Sequence, residues 1–135
     1  MEQSPDLKDV MLRYYEAASQ GDIAFMDRIL SSQREVLIIG TDPNEWWADP
    51  ATINQTLKAQ AQAGIKIVPG DLLAYREGSV GWVADRGKFV LPDGAEVPVR
   101  WTAVFRQEGG EWKLVQGHAS IGVPNEEALG TDLKA

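Results

Sequence analysis

The sequence predicts an α+β fold: three helices first, then a curved antiparallel sheet. Two observations carry that expectation. Apolar residues recur at helical spacing over Leu7–Ala18, Ile23–Leu30 and Ile53–Ala61, whereas from Ile65 onward the chain divides into strand-length runs separated by Gly- and Pro-containing turns. The two kinds of element are also segregated along the chain instead of alternating, which favours α+β over a parallel α/β sheet.

The first helix begins at Ser4, an N-cap, with Pro5 at its first position. Leu7, Val10, Met11, Tyr14 and Ala18 form its apolar stripe, and Gly21 stops it. Asp22 caps a second helix that ends near Ser31. Val36–Ile39 is a short apolar run rich in β-branched residues and closed by Gly40, so its length favours a buried strand. Asp42-Pro43-Asn44-Glu45 has the spacing of an N-terminal capping pattern and predicts one helical turn through Trp46 and Trp47. Asp49-Pro50 repeats the signal and opens a third helix closed by Gly64. Strands follow over 65–76, with a break at Pro69-Gly70, and then over 79–90, 96–106 and 110–122. A single domain over 4–123 and a polar tail over 124–135, with a short helical piece near Asn125–Leu129, complete the chain.

Turn parity assigns the strand faces. If Asp93-Gly94 and Gly109-Gly110 are two-residue loops, opposed residues share a face. Arg86, Trp101 and His118 then lie side by side, followed by Ala84, Ala103 and Gln116, and by Trp82, Phe105 and Leu114. That face grades from apolar to polar along the last strand, through Trp112, Leu114, Gln116, His118 and Ser120, as expected of a core that opens into a polar-lined cavity. The opposite face, with Arg100, Thr102, Val104, Lys113, Val115, Ala119 and Ile121, is expected to pair with a second copy as a homodimer.

Composition excludes several classes. With 13 Lys+Arg against 20 Asp+Glu, the net charge of −7 repels phosphate backbones and anionic membranes, so neither nucleic acid nor membrane is expected as a partner. Zero cysteines exclude disulfides and thiolate metal sites and a single histidine argues against zinc, so no metal is expected, and no phosphate loop, nucleophile elbow or dinucleotide fingerprint calls for a cofactor. The lack of cysteine fits a reducing cytoplasm. The N-terminal stretch has no signal-like pattern and no apolar run reaches membrane-spanning length, so a soluble, unprocessed cytoplasmic protein is expected.

The order of elements, with Arg13-Tyr14, Gly21-Asp22, Gly40-Thr41-Asp42-Pro43 and Glu111-Trp112-Lys113-Leu114-Val115 ahead of His118 and Ser120, resembles the NTF2-like superfamily, and within it the SnoaL-like and ketosteroid-isomerase-like group. The resemblance covers nearly the whole chain. It implies a strongly bent sheet wrapped around the helices as a cone, a pocket on the concave face, and dimers formed by packed sheets. That superfamily contains isomerases, dehydratases, cyclases and non-catalytic association domains, so the fold alone does not choose an activity.

The resemblance also suggests roles. Asp42 followed by Pro43 matches the proton-shuttling base of the isomerases, a group that has to sit in an apolar pocket, with Trp46 and Trp47 as candidate walls. Asp42 with Pro43 and Glu45 is also a good N-cap, and capping alone accounts for all three. Tyr14 aligns with the tyrosine that donates to the enolate oxygen, or is simply packed. The strand 100–104 has no counterpart of the isomerases' protonated Asp, which argues against ketosteroid isomerisation itself. His118 is the candidate partner acid, or a strand histidine bonded to Ser120 or the backbone. Arg86 beside Trp101 is a candidate oxyanion or carboxylate ligand, or a solvated residue. Trp82, Gln116 and Ser120 complete the expected ligand-binding surface around an apolar carbonyl compound. The alternative is a non-catalytic binding or dimerisation module in which these residues cap helices and fill the core.

Overall fold

The computed structural model describes residues 1–31 and 36–134. A two-residue strand, β1 (Glu2–Gln3), leads into α1 (Pro5–Gln20), where the Ser4 hydroxyl accepts the Leu7 N–H and Gly21 closes the helix in the left-handed region. Asp22 caps α2 (Ile23–Ile29), accepting the Phe25 N–H. After β2 (Leu37–Ile39) and β3 (Trp46–Trp47) comes α3 (Pro50–Gln62), capped by Asp49. The meander is β4 (Lys66–Val68), β5 (Leu73–Glu77), β6 (Val80–Val90), β7 (Glu96–Glu108) and β8 (Glu111–Ser120), and α4 (Asn125–Leu129) follows. Apart from β1 and β3, every element was legible as a cap, a period or a turn.

The strands form one curved, open sheet in the order β1-β5-β6-β7-β8-β2-β3, with β4 also pairing β6. The sheet is mixed and not wholly antiparallel, because β2 runs parallel to β8. No hairpin joins those two strands, so no tight turn imposes an antiparallel direction. The region around Trp46 also departs from expectation. The capping pattern is present, with Asp42 Oδ1 accepting the Asn44 N–H at 3.0 Å and Glu45 Oε1 accepting the Asp42 N–H at 2.8 Å. It closes a β2–β3 hairpin, pairing Ile38 with Trp47 and Ile39 with Trp46, where a helical turn was expected. Local capping bonds serve a turn as well as a helix, and two consecutive tryptophans favour the strand.

Two details of register correct the expected faces. The Gly109-Gly110 loop does have two residues, with Glu108 opposite Glu111. The other loop has three: Leu91 bonds to Ala95 across Pro92-Asp93-Gly94, and Gly94 supplies the positive φ of 88°. Trp101 therefore opposes Asp85, and Arg86 opposes Arg100. A bulge then shifts β8 by one residue, so that Phe105 pairs Leu114 but Ala103 pairs Gly117 and Trp101 pairs Ala119. The expected row of Arg86, Trp101 and His118 does not exist. Arg86, Trp82, Gln116 and His118 lie with Arg100, Thr102 and Val104 on the convex face, while Ala119 and Ile121 leave that face and border the interior cavity.

The concave face packs on the helices. Leu7, Met11 and Tyr15 from α1, Met26 from α2 and Ile53 from α3 meet Val83, Val99, Trp101, Phe105 and Leu114. Asp85 is the one carboxylic acid or basic side chain buried among the described residues. Asp85 is only 4% exposed, and its carboxyl accepts the Tyr15 hydroxyl at 2.9 Å and the Gly70 N–H at 3.1 Å. The Tyr15 ring in turn stands 5.2 Å from Trp101, whose other neighbour is Phe89 at 5.5 Å. Tyr15→Phe removes one of those donors from a buried carboxyl, so it is expected to lower stability by about 1–3 kcal/mol in urea unfolding. A midpoint equal to wild type would show that the bond carries no net stability.

Candidate functional site

Between the sheet and the helices lies a cavity of about 320 Å³, near the small end of the roughly 300–1,000 Å³ typical of ligand sites. Its floor is Trp101, Ala103, Phe105, Leu114, Gly117 and Ala119. The bulge in β8 creates that floor. Without it, alternation from Leu114 would bring Gln116 and His118 inward; with it, Gly117 and Ala119 take their place. Two small residues replace two large polar ones, which leaves the floor apolar and hollow. α1 contributes Met11 and Tyr14, α3 contributes Thr56, Leu57 and Gln60, and the β2–β3 hairpin closes one side with Ile38, Thr41, Glu45 and Trp47.

Few polar groups reach this wall. The Tyr14 hydroxyl has no hydrogen-bond partner among the described residues. Burial pushes its pKa up from 10.0 to about 12, because the phenolate would lose its hydration. Tyr14 is thus an undissociated donor across the ordinary pH range. Tyr15, one residue on, points to Asp85, and both burial and that carboxyl raise its pKa as well. Thr56 donates its hydroxyl to the Thr52 carbonyl at 2.9 Å and so is already satisfied.

Of the residues expected at a site, Tyr14, Trp47, Trp101 and His118 border the cavity. His118 does so from an exposed position opposite Thr102 on the convex side of its strand. The others lie elsewhere. Asp42 is exposed and bonded to the Asn44 N–H, as a turn cap requires. Trp46 is 67% exposed, because pairing with Ile39 turns it away from the face that holds Trp47. Trp82 stacks on Tyr75 at 5.0 Å. Arg86 extends into solvent near Asp71, at 3.5 Å. Gln116 bonds to the neighbouring Gly117 carbonyl, and Ser120 accepts from Arg100 Nε.

Sequence reasoning passed over Glu45 and Gln60, both in the wall. The capping pattern accounts for Glu45 in the sequence, yet a cap that uses one carboxylate oxygen leaves the other available. A signal was present in Gly40: a Cβ there would stand 2.7–2.9 Å from the Glu45 side chain, so only glycine lets the glutamate fold back over β2. Asp85 was also missed, since its face depends on the length of the Pro92–Gly94 turn.

The SnoaL-like domain profile matches residues 7–124, which include every strand of the concave wall. The chain belongs to the SnoaL-like domain family. No curated protein matches this SnoaL-like domain in sequence. Solved structures do match it in fold. An NTF2-like protein of unknown function from Pseudomonas putida KT2440 superposes with a TM-score of 0.78 at 14% identity, covering 96% of this chain and 94% of that one. A provisionally named dehydratase of the NTF2-like family from Streptomyces avermitilis gives 0.73 at 17% identity, covering 84% and 92%. A provisionally named ketosteroid isomerase from Shewanella frigidimarina NCIMB 400 gives 0.70 at 15%, covering 83% and 92%. At such identities the likeness is one of fold. No helix among the described residues is long and apolar enough to cross a membrane.

The two tyrosines tie stability to alkaline pH. Each holds its proton to a higher pH when folded than when unfolded. The stability they contribute is therefore complete below the ordinary tyrosine value of 10.0 and is lost as pH rises through the folded value, about 12 for Tyr14. Melting temperature is expected to fall over that window, and to fall less steeply in Tyr14→Phe. A Tyr14→Phe profile parallel to wild type would sever the link.

Proposed function

We propose that this SnoaL-like domain binds an apolar small molecule in the cavity, held by burial against Trp47, Trp101 and Phe105 and oriented by a hydrogen bond from Tyr14. The observation that carries this reading is the Tyr14 hydroxyl, without a hydrogen-bond partner among the described residues, in a mostly apolar wall. Tyr14 is half-buried at the cavity edge, and an acceptor on a ligand that fills the cavity would take up its donor where water is displaced. An apolar carbonyl compound supplies both the surface and the acceptor. Asp42 and His118 do not enter this reading as an acid/base pair, since the first caps an exposed turn and the second sits on the convex side.

Isothermal titration with rigid apolar ketones tests the proposal. Tyr14→Phe is expected to weaken a ketone about tenfold while leaving the matching hydrocarbon unaffected. Equal losses for both ligands would place the hydroxyl outside the contact, and no binding by any of them would remove the reading.

Proton-transfer catalysis is a second reading, favoured by the same phenol: an undissociated donor in the wall stabilises a developing enolate oxygen, while Glu45, the one carboxylate among the described lining residues, is the group available to take the α-proton. The names of the Streptomyces and Shewanella neighbours point the same way. This reading expects Tyr14→Phe to lower kcat on an enolisable ketone by about 10²-fold; a change in KM alone would leave binding as the function.

A homodimer through the convex sheet face accompanies the proposal. Leu73 and Val80 are 50% and 46% exposed there, beside the Trp82–Tyr75 stack. Sedimentation at micromolar concentration is expected to give twice the chain mass, and a single monomeric species would exclude it.

A further inference from the structure

The charge of the cavity wall bears on what kind of molecule it accepts. Among its described lining residues there is no lysine or arginine, and one carboxylate, that of Glu45. That carboxylate is fixed in place. Its Oε1 accepts the Asp42 N–H at 2.8 Å, its backbone N–H donates to the Asp42 carbonyl at 3.0 Å, and its backbone carbonyl accepts the Gly40 N–H at 2.9 Å. The side chain also lies over Gly40 closely enough that a Cβ there would collide with it. Oε2 has no partner among the described residues. The turn thus uses Asp42 as its cap and presents Glu45 to the cavity. His118, the imidazole that also borders this space, is exposed on the convex side of its strand and supplies no compensating cation within.

Resting on the reading of this cavity as a ligand site, we infer that Glu45 selects apolar molecules bearing an ammonium or another strong hydrogen-bond donor and excludes those bearing a carboxylate. The physical reason is desolvation. An ion entering an apolar cavity loses its hydration and is accepted only when a partner of opposite charge and good geometry awaits it. Glu45 provides that partner for an ammonium. It provides repulsion for a carboxylate, which would also find no lysine or arginine in the described wall. A neutral hydroxyl falls between, since it can donate to Oε2 and accept from Tyr14.

Three probes with one apolar body separate the possibilities: 1-naphthylmethylamine, 1-naphthylmethanol and 1-naphthoate, titrated calorimetrically into the full chain at neutral pH. The amine is expected to bind at least about tenfold more tightly than the carboxylate, with the alcohol between them. Glu45→Gln is expected to reduce the amine-to-carboxylate ratio by about fivefold or more without weakening the alcohol comparably. Asp42→Asn removes one negative charge three residues away and outside the cavity, while its amide oxygen can still accept the Asn44 N–H that holds the turn, and is expected to leave the ratio unchanged. If the alcohol binds and the carboxylate binds as tightly as the amine, the selectivity is refuted while the binding reading stands; this wild-type comparison holds even if Glu45→Gln does not fold. The selectivity is likewise refuted if Asp42→Asn reduces the ratio as much as Glu45→Gln, because the net charge of −7 would then be its source. If none of the three probes binds, the binding reading fails and the selectivity fails with it.

Discussion

The register of β6, β7 and β8 chooses which of the sheet's residues face the interior. Side chains alternate along a strand, so a single residue gained or lost in a turn transfers an entire strand's worth of side chains from one face to the other. β7 lies between β6 and β8 and carries an unambiguous pattern, with Val97, Val99, Trp101, Ala103 and Phe105 inward and Arg100, Thr102 and Arg106 outward. Its neighbours have no such clarity. For β6 the three-residue loop at Pro92–Gly94 makes the choice, putting Asp85 inside and Arg86 outside. For β8 the bulge does so, putting Gly117 and Ala119 where Gln116 and His118 would otherwise stand.

The consequence is a wall divided between packing and space. Beside Trp101 part of the interior is filled: Tyr15 packs on the indole, and Asp85 is satisfied by Tyr15 and Gly70. An isolated buried carboxyl would cost more than the single bond to Tyr15 returns, so its persistence depends on both donors being held in place. Elsewhere the small floor residues Ala103, Gly117 and Ala119 leave the interior unfilled. Adjacent tyrosines on α1 mark the divide. Tyr15 is satisfied within the core, and Tyr14, turned toward the cavity, is not.

The hairpin between β2 and β3 illustrates how a cap and a site share one short segment. Asp42, Asn44 and Glu45 exchange the hydrogen bonds of a capping pattern, and these bonds fix the direction of the Glu45 side chain. A carboxylate held by its own turn needs no further support from the cavity. The same turn puts Trp47 in the wall and Trp46 in solvent, since neighbouring strand residues face opposite ways. The resemblance to ketosteroid isomerases draws attention to this segment, but the residue it singles out, Asp42, lies outside the cavity and Glu45 borders it.

The sequence by itself determined the elements and their order, apart from β1 and the β3 strand that stands where a helical turn was expected. Caps at Ser4, Asp22 and Asp49, the stop at Gly21 and the turns at Gly78, Gly94 and Gly109-Gly110 are local chemistry, carried by residues within a few positions of one another, and so are legible without a fold. It also determined that β7 has a dry face and that Tyr14 and Trp101 sit on apolar stripes. Only the tertiary structure decided which residues share the cavity. That outcome rests on a loop longer by one residue than its Asp-Gly sequence suggests, on a bulge with no marker in the sequence of β8, and on the parallel pairing of β2 with β8, which joins residues about 80 positions apart. Such features follow from how distant segments fit against one another, so no local pattern encodes them. The fold was therefore readable at the level of its pieces, and the site only where a residue's face did not depend on register.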